Sequence, residues 1–265
     1  MMSPAILALF KAASAIPHGL APGETQDEWD DRIQMVVEED YESAKAYANG
    51  KGWSAFEIAL ADVVLEGNET RFDKRIHAGQ KHPKWTQDHG LATCLGQHHE
   101  SNAVPHDKWL RLAGLDLPAT KLCAEATTMM LVSHAKQCGV FIGQRASRRA
   151  IAQAYAAYGS GGNCTPNKEM NDRAAQWETL LIKYGPRPDI PGFRRVPLDG
   201  VPPPVKKQAE EMLAVLNSAE RPANTKVGDT INYSFDNVPG RWKLRVERHA
   251  AGKIGISVFE EVSKK

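Results

Sequence analysis

Between Trp53 and Glu69 the chain reads W-S-A-F-E-I-A-L-A-D-V-V-L-E-G-N-E, and this stretch limits the possible folds more than any other. Ser54 stands three residues before Glu57, the pattern of a capping box that opens a helix. Phe56, Ala59, Leu60, Val63 and Val64 recur at i, i+3, i+4, i+7 and i+8, so one helical face is apolar and belongs in a core. The apolar run stops at Leu65 and is followed by Glu66, Gly67, Asn68 and Glu69. Gly67 is expected to let the helix end there. The helix thus delivers a carboxyl group where a buried element reaches open space. A partly desolvated carboxyl so placed suits general acid chemistry near neutral pH. The plainer alternative is a solvated helix-end glutamate, because Glu is mostly exposed in folded proteins.

The rest of the chain divides around this helix. Residues 1–23 read as an N-terminal tail, with a short apolar helix over 4–15 and a linker from Pro17 to Gly23. Thr25 and Glu28 form a second capping box, opening an amphipathic helix with Trp29, Ile33, Val36, Val37, Tyr41 and Ala44 inward, which should pack on the Glu69 helix. Further helices are expected over 118–138, 145–158 and 167–184, which closes a domain spanning 24–185. The composition then changes to P-R-P-D-I-P-G-F-R-R-V-P-L-D-G-V-P-P-P. That segment, 186–204, reads as a stiff extended linker. Residues 205–265 form a small α+β appendage, with a helix over 205–216 and strands over 230–235, 242–248 and 254–262.

At 265 residues the chain can bury a sizeable core, and a charged fraction of 25% with a net charge of +1 argues against disorder. Such a balanced charge also argues against a dedicated nucleic-acid binder. No apolar run approaches the length of a membrane span, and Met1-Met2-Ser3-Pro4 lacks the basic start of a secretory signal.

Cys94, Cys123, Cys138 and Cys164 contain no C-x-x-C pair, so structural zinc is not expected. Cys123 and Cys138 fall at opposite ends of one helix, about 22 Å apart, too far to bridge each other. Pairing 94–123 with 138–164, pairing 94–138 with 123–164, and four free buried thiols all remain open. Six of the nine histidines lie between His77 and His106, with His98-His99-Glu100 the tightest group. Adjacent helical residues do not face each other, and no H-E-x-x-H is present, so no metal is assigned. No cofactor motif appears either: the glycines at 159–162 follow a helix, where a phosphate loop would precede one. The loop from Arg71 to His89 combines Arg71, Lys74, Arg75, Lys81 and Lys84 with Trp85, a basic rim with an aromatic platform suited to an anionic glycan.

Three segments in order, Glu69-Thr70-Arg71-Phe72, Gly90-Leu91-Ala92-Thr93-Cys94-Leu95-Gly96-Gln97 and Ala157-Tyr158-Gly159-Ser160-Gly161, resemble the E-S-x-F, G-A-x-G-L-M-Q and A-Y-N-A-G series of lysozyme-like lytic transglycosylases. The likeness covers roughly residues 30–185. Thr70 stands where the family has Ser, and Gly159 where it has Asn. The resemblance implies a mainly α-helical, lysozyme-like domain that cleaves the β-1,4 bond between N-acetylmuramic acid and N-acetylglucosamine of peptidoglycan glycan strands. It implies Glu69 as the single general acid/base, with Glu100 as the runner-up. Gln97, Tyr158, Thr70 and Trp85 are expected on the same reading to bind the substrate. A lysozyme-type hydrolase, and a non-enzymatic phage structural or wall-docking protein with a degraded site, are the alternatives. Work on the wall places the protein in a phage virion or in the host periplasm or cell wall, and the appendage is either a small domain of its own or an arm that docks on a partner, with virion or tail proteins the candidates.

Overall fold

The computed structural model describes residues 2–48, 52–80, 92–101, 104–141, 146–185, 193–196, 201–216, 230–233, 242–248 and 254–261. In chain order the elements are α1 (Pro4–Ser14), α2 (Gln26–Tyr47), α3 (Ala55–Thr70), α4 (Lys74–His77), α5 (His106–Trp109), α6 (Leu117–Gln137), α7 (Arg148–Ser160), α8 (Lys168–Tyr184), β1 (Phe193–Val196), α9 (Pro203–Leu216), β2 (Thr230–Tyr233), β3 (Trp242–Arg248) and β4 (Ile254–Glu261). The protein is mainly helical and divides into two units, 1–186 and 187–265.

The first unit is built around α3, which packs against α1, α2, α6 and α8. Both capping boxes form: Ser54 Oγ accepts from the Glu57 amide while Glu57 returns the bond, and Thr25 and Glu28 do the same for α2. The apolar stripe of α3 is buried as its periodicity requires, and Ile58, Ala61 and Leu65 on the remaining faces are buried too. A helix apolar all round belongs inside a bundle, and α3 sits there. Because it is enclosed, its polar residues Asp62, Glu66 and Thr70 are buried as well.

Four boundaries differ from the sequence reading. The N-terminal segment is not a loose tail: Leu9, Ala12, Ala13 and Ile16, at i, i+3, i+4 and i+7, are buried against the bundle. Gly67 does not end α3. The helix continues to Thr70 and is capped by Arg71 in the left-handed region at φ 54°. Gly67 is instead a contact point, since a Cβ there would lie 2.9 Å from both Ile16 Cγ2 and Phe72 Cε2. Likewise α7 runs through Gly159 to Ser160 and is capped by Gly161.

The fourth boundary is at 186–204, expected as a linker. Phe193–Val196 within it is an edge strand, β1, paired antiparallel with β4 from Phe193↔Glu261 to Val196↔Val258. Pro191 and Pro197 flank it in sequence, as an edge strand allows. The second unit is thus a four-stranded antiparallel sheet in the order β1-β4-β3-β2. Val205 and Ala209 of α9 pack on Trp242, Leu244 and Val258 of the sheet.

Candidate active site

At the C-terminal half of α3, carboxyl groups recur at 62 and 66 on the side facing α6. Asp62 Oδ2 accepts from Thr128 Oγ1 at 2.7 Å, and Glu66 Oε1 lies 3.3 Å from Thr127 Oγ1. Asp40, from α2, is fully buried, and its two carboxyl oxygens have no hydrogen-bond partner among the described residues. Burial pushes Asp40 well above the usual carboxylate range, and the neighbouring Glu66 and Asp62 push it further. Burial does the same to Asp62, against the opposing bond from Thr128. Glu66, 1% exposed, is raised by burial to about 8, the Thr127 contact acting the other way. A neutral Glu66 at pH 7 has a proton to give.

The second part of the site is a tight turn. Thr93 and His98 exchange both backbone hydrogen bonds at 3.0 Å, and the Gln97 amide donates to the Cys94 carbonyl at 3.2 Å. Cys94 (φ 54°) and Gln97 (φ 52°) occupy the left-handed region, which costs a non-glycine residue about 1–2 kcal/mol each. The turn packs on α6 through Gly96. A Cβ on Gly96 would stand 2.2 Å from Thr127 Oγ1 and 2.5 Å from His98 Nε2, so only glycine fits. His98 is buried, with Nε2 3.0 Å from Thr127 Oγ1 and Nδ1 3.2 Å from Met130 Sδ. Burial, then the charges of Lys108 and His99, lowers its pKa to about 3, so its imidazole is neutral.

The third part is Tyr158 on α7, whose hydroxyl donates to the Gly96 carbonyl at 2.7 Å. Burial raises its pKa well above the ordinary phenol value, and the nearby Glu66 adds to the effect. Glu66, Thr127, His98, Gly96 and Tyr158 thus form one connected polar cluster.

Two disulfides bracket this cluster. Cys94 of the turn is bonded to Cys123 of α6, and Cys138, the C-cap of α6, to Cys164 beyond α7. This is the first of the two pairings left open by spacing.

The sequence candidates are distributed differently from the expectation. Glu69 is one-quarter exposed and is ion-paired with Arg173 of α8, which also binds Glu169 at 2.5 Å. Burial works against the Arg173 charge, but Glu69 and Glu169 outweigh it and hold its pKa above the ordinary arginine value. This side of α3 borders an open groove of about 650 Å³ lined by Asn68, Lys168, Glu169, Asp172, Arg173 and Gln176. Asp172 there is paired with Lys168. The groove is open to solvent, whereas the carboxyl that burial holds neutral is Glu66 on the enclosed side of α3.

Thr70 is buried and donates to the Glu66 carbonyl at 2.8 Å, closing its own helix. Gln97 is half-buried, and its amide donates to the Cys94 carbonyl at 2.9 Å. Trp85, Lys81 and Lys84 lie outside the described residues; of the remaining basic residues, Arg71 caps α3, Lys74 and Arg75 start the short helix α4, and Arg75 is paired with Asp73. The His98-His99-Glu100 group separates: His98 is buried while His99 and Glu100 are exposed, and Glu100 bonds His106 at 2.8 Å. His98 instead meets Cys94 and Cys123, whose sulfurs are bonded to each other.

No family model, curated protein or solved structure matches this chain significantly.

Asp40, Asp62, Glu66, Thr127 and His98 were not singled out as site residues from sequence. A signal existed for part of the set. Asp62 and Glu66 interrupt an otherwise apolar helix at i, i+4, a spacing that puts two carboxyls on one face of an element too apolar to leave the core.

Proposed function

We propose that this protein is a peptidoglycan-cleaving glycosidase of the lytic transglycosylase kind, acting on the N-acetylmuramic acid to N-acetylglucosamine β-1,4 bond, with Glu66 as its general acid. The observation that carries this reading is a carboxyl group with its pKa near 8 at the end of a buried helix, beside Tyr158 and the Gly96-Gln97 turn. It is supported by two of the three sequence segments that resemble the family, which contribute Gly96 and Tyr158 to the cluster, while the first adjoins Glu66 through the Thr70 hydrogen bond to its carbonyl. Glu66 lies within one turn of Glu69 on α3, three residues before the first of these segments begins, so the acid moves off the motif's own glutamate while staying on the same helix end.

Glu66 gives its proton to the glycosidic oxygen as the bond to the muramoyl carbon breaks. The resulting carboxylate takes the proton of the muramoyl C6 hydroxyl, whose oxygen closes on the same carbon to give a 1,6-anhydro end. The acid is regenerated and no water is consumed. A hydrolase needs a second carboxyl across the sugar from the acid. Asp40 and Asp62 sit beside Glu66 inside the bundle, each raising or raised by its neighbour, and not on the far side of a space that a sugar would fill, which favours the single-carboxyl route. Tyr158, neutral, keeps its hydroxyl for hydrogen bonding, and Gln97 and Thr70 remain its companions in holding the sugar. Because Glu66 is 1% exposed, proton transfer requires local opening on substrate binding. Disulfides fit work outside a reducing cytoplasm, in a virion or at the wall. Residues 187–265 then serve as the docking module for virion or tail proteins.

Purified protein is to be incubated with cell walls and the soluble fragments weighed. Anhydro ends, one water lighter than hydrolytic ends, are expected. Glu66→Gln should lower the rate at least 100-fold, while Glu69→Gln retains most of it. The reverse pattern would return the acid to Glu69. The deep burial of Glu66 and the glycine at 159 favour one second reading, a non-enzymatic wall-docking protein. Wall binding with no fragment release from the wild type would establish it.

A further inference from the structure

The connected cluster is assembled on a single scaffold, α6. Cys123 and Thr127 are one helical turn apart on it, and Thr127 Oγ1 lies 3.0 Å from the Cys123 carbonyl. Cys123 anchors the 92–98 turn through Cys94, and Thr127 is the residue on which Gly96 of that turn rests and which touches Glu66. The anchor and the contact therefore share one register. Two left-handed non-glycine residues, Cys94 and Gln97, make the turn costly to hold by its own hydrogen bonds, and one of the two is the bonded cysteine. Tyr158 closes the arrangement from α7 by binding the Gly96 carbonyl.

We propose that the Cys94–Cys123 disulfide positions the 92–98 turn on Thr127 and Tyr158 beside Glu66, so that thiol oxidation switches the site on. Cys94 and Cys123 are positioning residues in this scheme and touch no substrate. The proposal rests on the glycosidase reading for its activity arm alone. Formation of the bond is thiol–disulfide exchange. One thiolate attacks a disulfide oxidant, expelling one of its sulfurs, and the second thiolate then displaces the other. The two protein thiols lose two electrons and two protons, and the oxidant leaves as two thiols. In a reducing compartment the turn is released, water reaches the cluster and Glu66 loses the dry surroundings that keep it an acid. A wall-cleaving protein made inside a cell would thereby stay inactive until it reached an oxidising space.

The second disulfide supplies the control. The bridged pairs are separated by 29 and 26 residues, so the unfolded-chain entropy they remove is nearly the same. A Cys94→Ala/Cys123→Ala variant and a Cys138→Ala/Cys164→Ala variant are compared with the oxidised wild type. Amide hydrogen exchange of peptides covering 92–98 and α3 is read by mass spectrometry, together with kcat and KM on cell-wall fragments. Loss of 94–123 should speed exchange in 92–98 at least 10-fold and lower kcat at least 30-fold with KM changed less than 3-fold. Loss of 138–164 should leave 92–98 protected. Reduction of the wild type with a dithiol should reproduce the first pattern, and re-oxidation should reverse it. Unchanged protection of 92–98 without the 94–123 bond, or equal loss in both variants, would overturn the proposal. If the exchange pattern appears while the oxidised wild type releases no glycan, the positioning holds and the glycosidase reading falls.

Discussion

Glu66 and Glu69, three positions apart on one helix, have opposite surroundings, and the difference is testable residue by residue. Glu66 is protonated in the fold up to about pH 8, whereas in the unfolded chain it ionises near 4.5. Between those values the folded state binds the extra proton, so stability falls as pH rises, by about 1.4 kcal/mol per pH unit for a group fully protonated in the fold. Asp40 and Asp62, also raised, act in the same direction. Urea midpoints are therefore expected to fall from pH 5 to pH 8. Glu66→Gln should weaken that dependence and exceed the wild type in stability at pH 8 while losing activity. Catalysis should decline as pH rises through about 8, where the acid is lost. For the other glutamate the prediction is structural. Arg173→Met leaves Glu69 and Glu169 without their cation, and with a pair intermediate between surface and interior the cost should be about 1–3 kcal/mol.

At the scale of elements, close approach at two glycines fixes how the pieces meet. Gly67 lets Ile16, just beyond α1, and Phe72 reach the α3 backbone, so Gly67→Ala trades a gain in helix propensity against overpacking. The first is worth about 1 kcal/mol and the second about 1–3, so a small net loss is expected, read as a fall of a few degrees in Tm. Gly96→Ala is more severe in kind. Its Cβ would overlap Thr127 Oγ1 and His98 Nε2, which cannot both yield without moving the turn off α6. Activity should drop with it, and hydrogen exchange in the 92–98 turn should rise in parallel.

For the whole molecule, the division between Pro186 and Arg187 predicts two independently folding units. Each has its own core, the helical bundle around α3 and the α9–sheet cluster around Val205, Trp242 and Val258. A chain ending at Pro186 should melt cooperatively and keep cleavage of soluble glycan fragments. Loss of folding in that shortened chain, seen by circular dichroism, would mean that the second unit completes the first. Among the described residues no helix is long and apolar enough to cross a membrane.

Capping chemistry and apolar spacing are local, and they determined the helices. Ser54 with Glu57, Thr25 with Glu28 and the stripe from Phe56 to Val64 specify α2 and α3 with no knowledge of their neighbours. The alternation in 242–248 and 254–261 similarly specified β3 and β4. The end of α3 was misplaced because Gly67 has two uses, termination and close packing, and only the positions of Ile16 and Phe72 select the second. The edge strand in the Pro-rich segment needed a partner, β4, more than fifty residues away in sequence. The same holds for the site. That α3 carries carboxyl groups at its C-terminal end was legible in the sequence, as was the list of permitted disulfides. That Glu66 keeps its proton depends on α6 enclosing it, and that Glu69 is ion-paired depends on Arg173 reaching it, and these are contacts between residues 61 and 104 positions apart. A pKa is set by burial and by neighbouring charge, and both are properties of the assembled bundle.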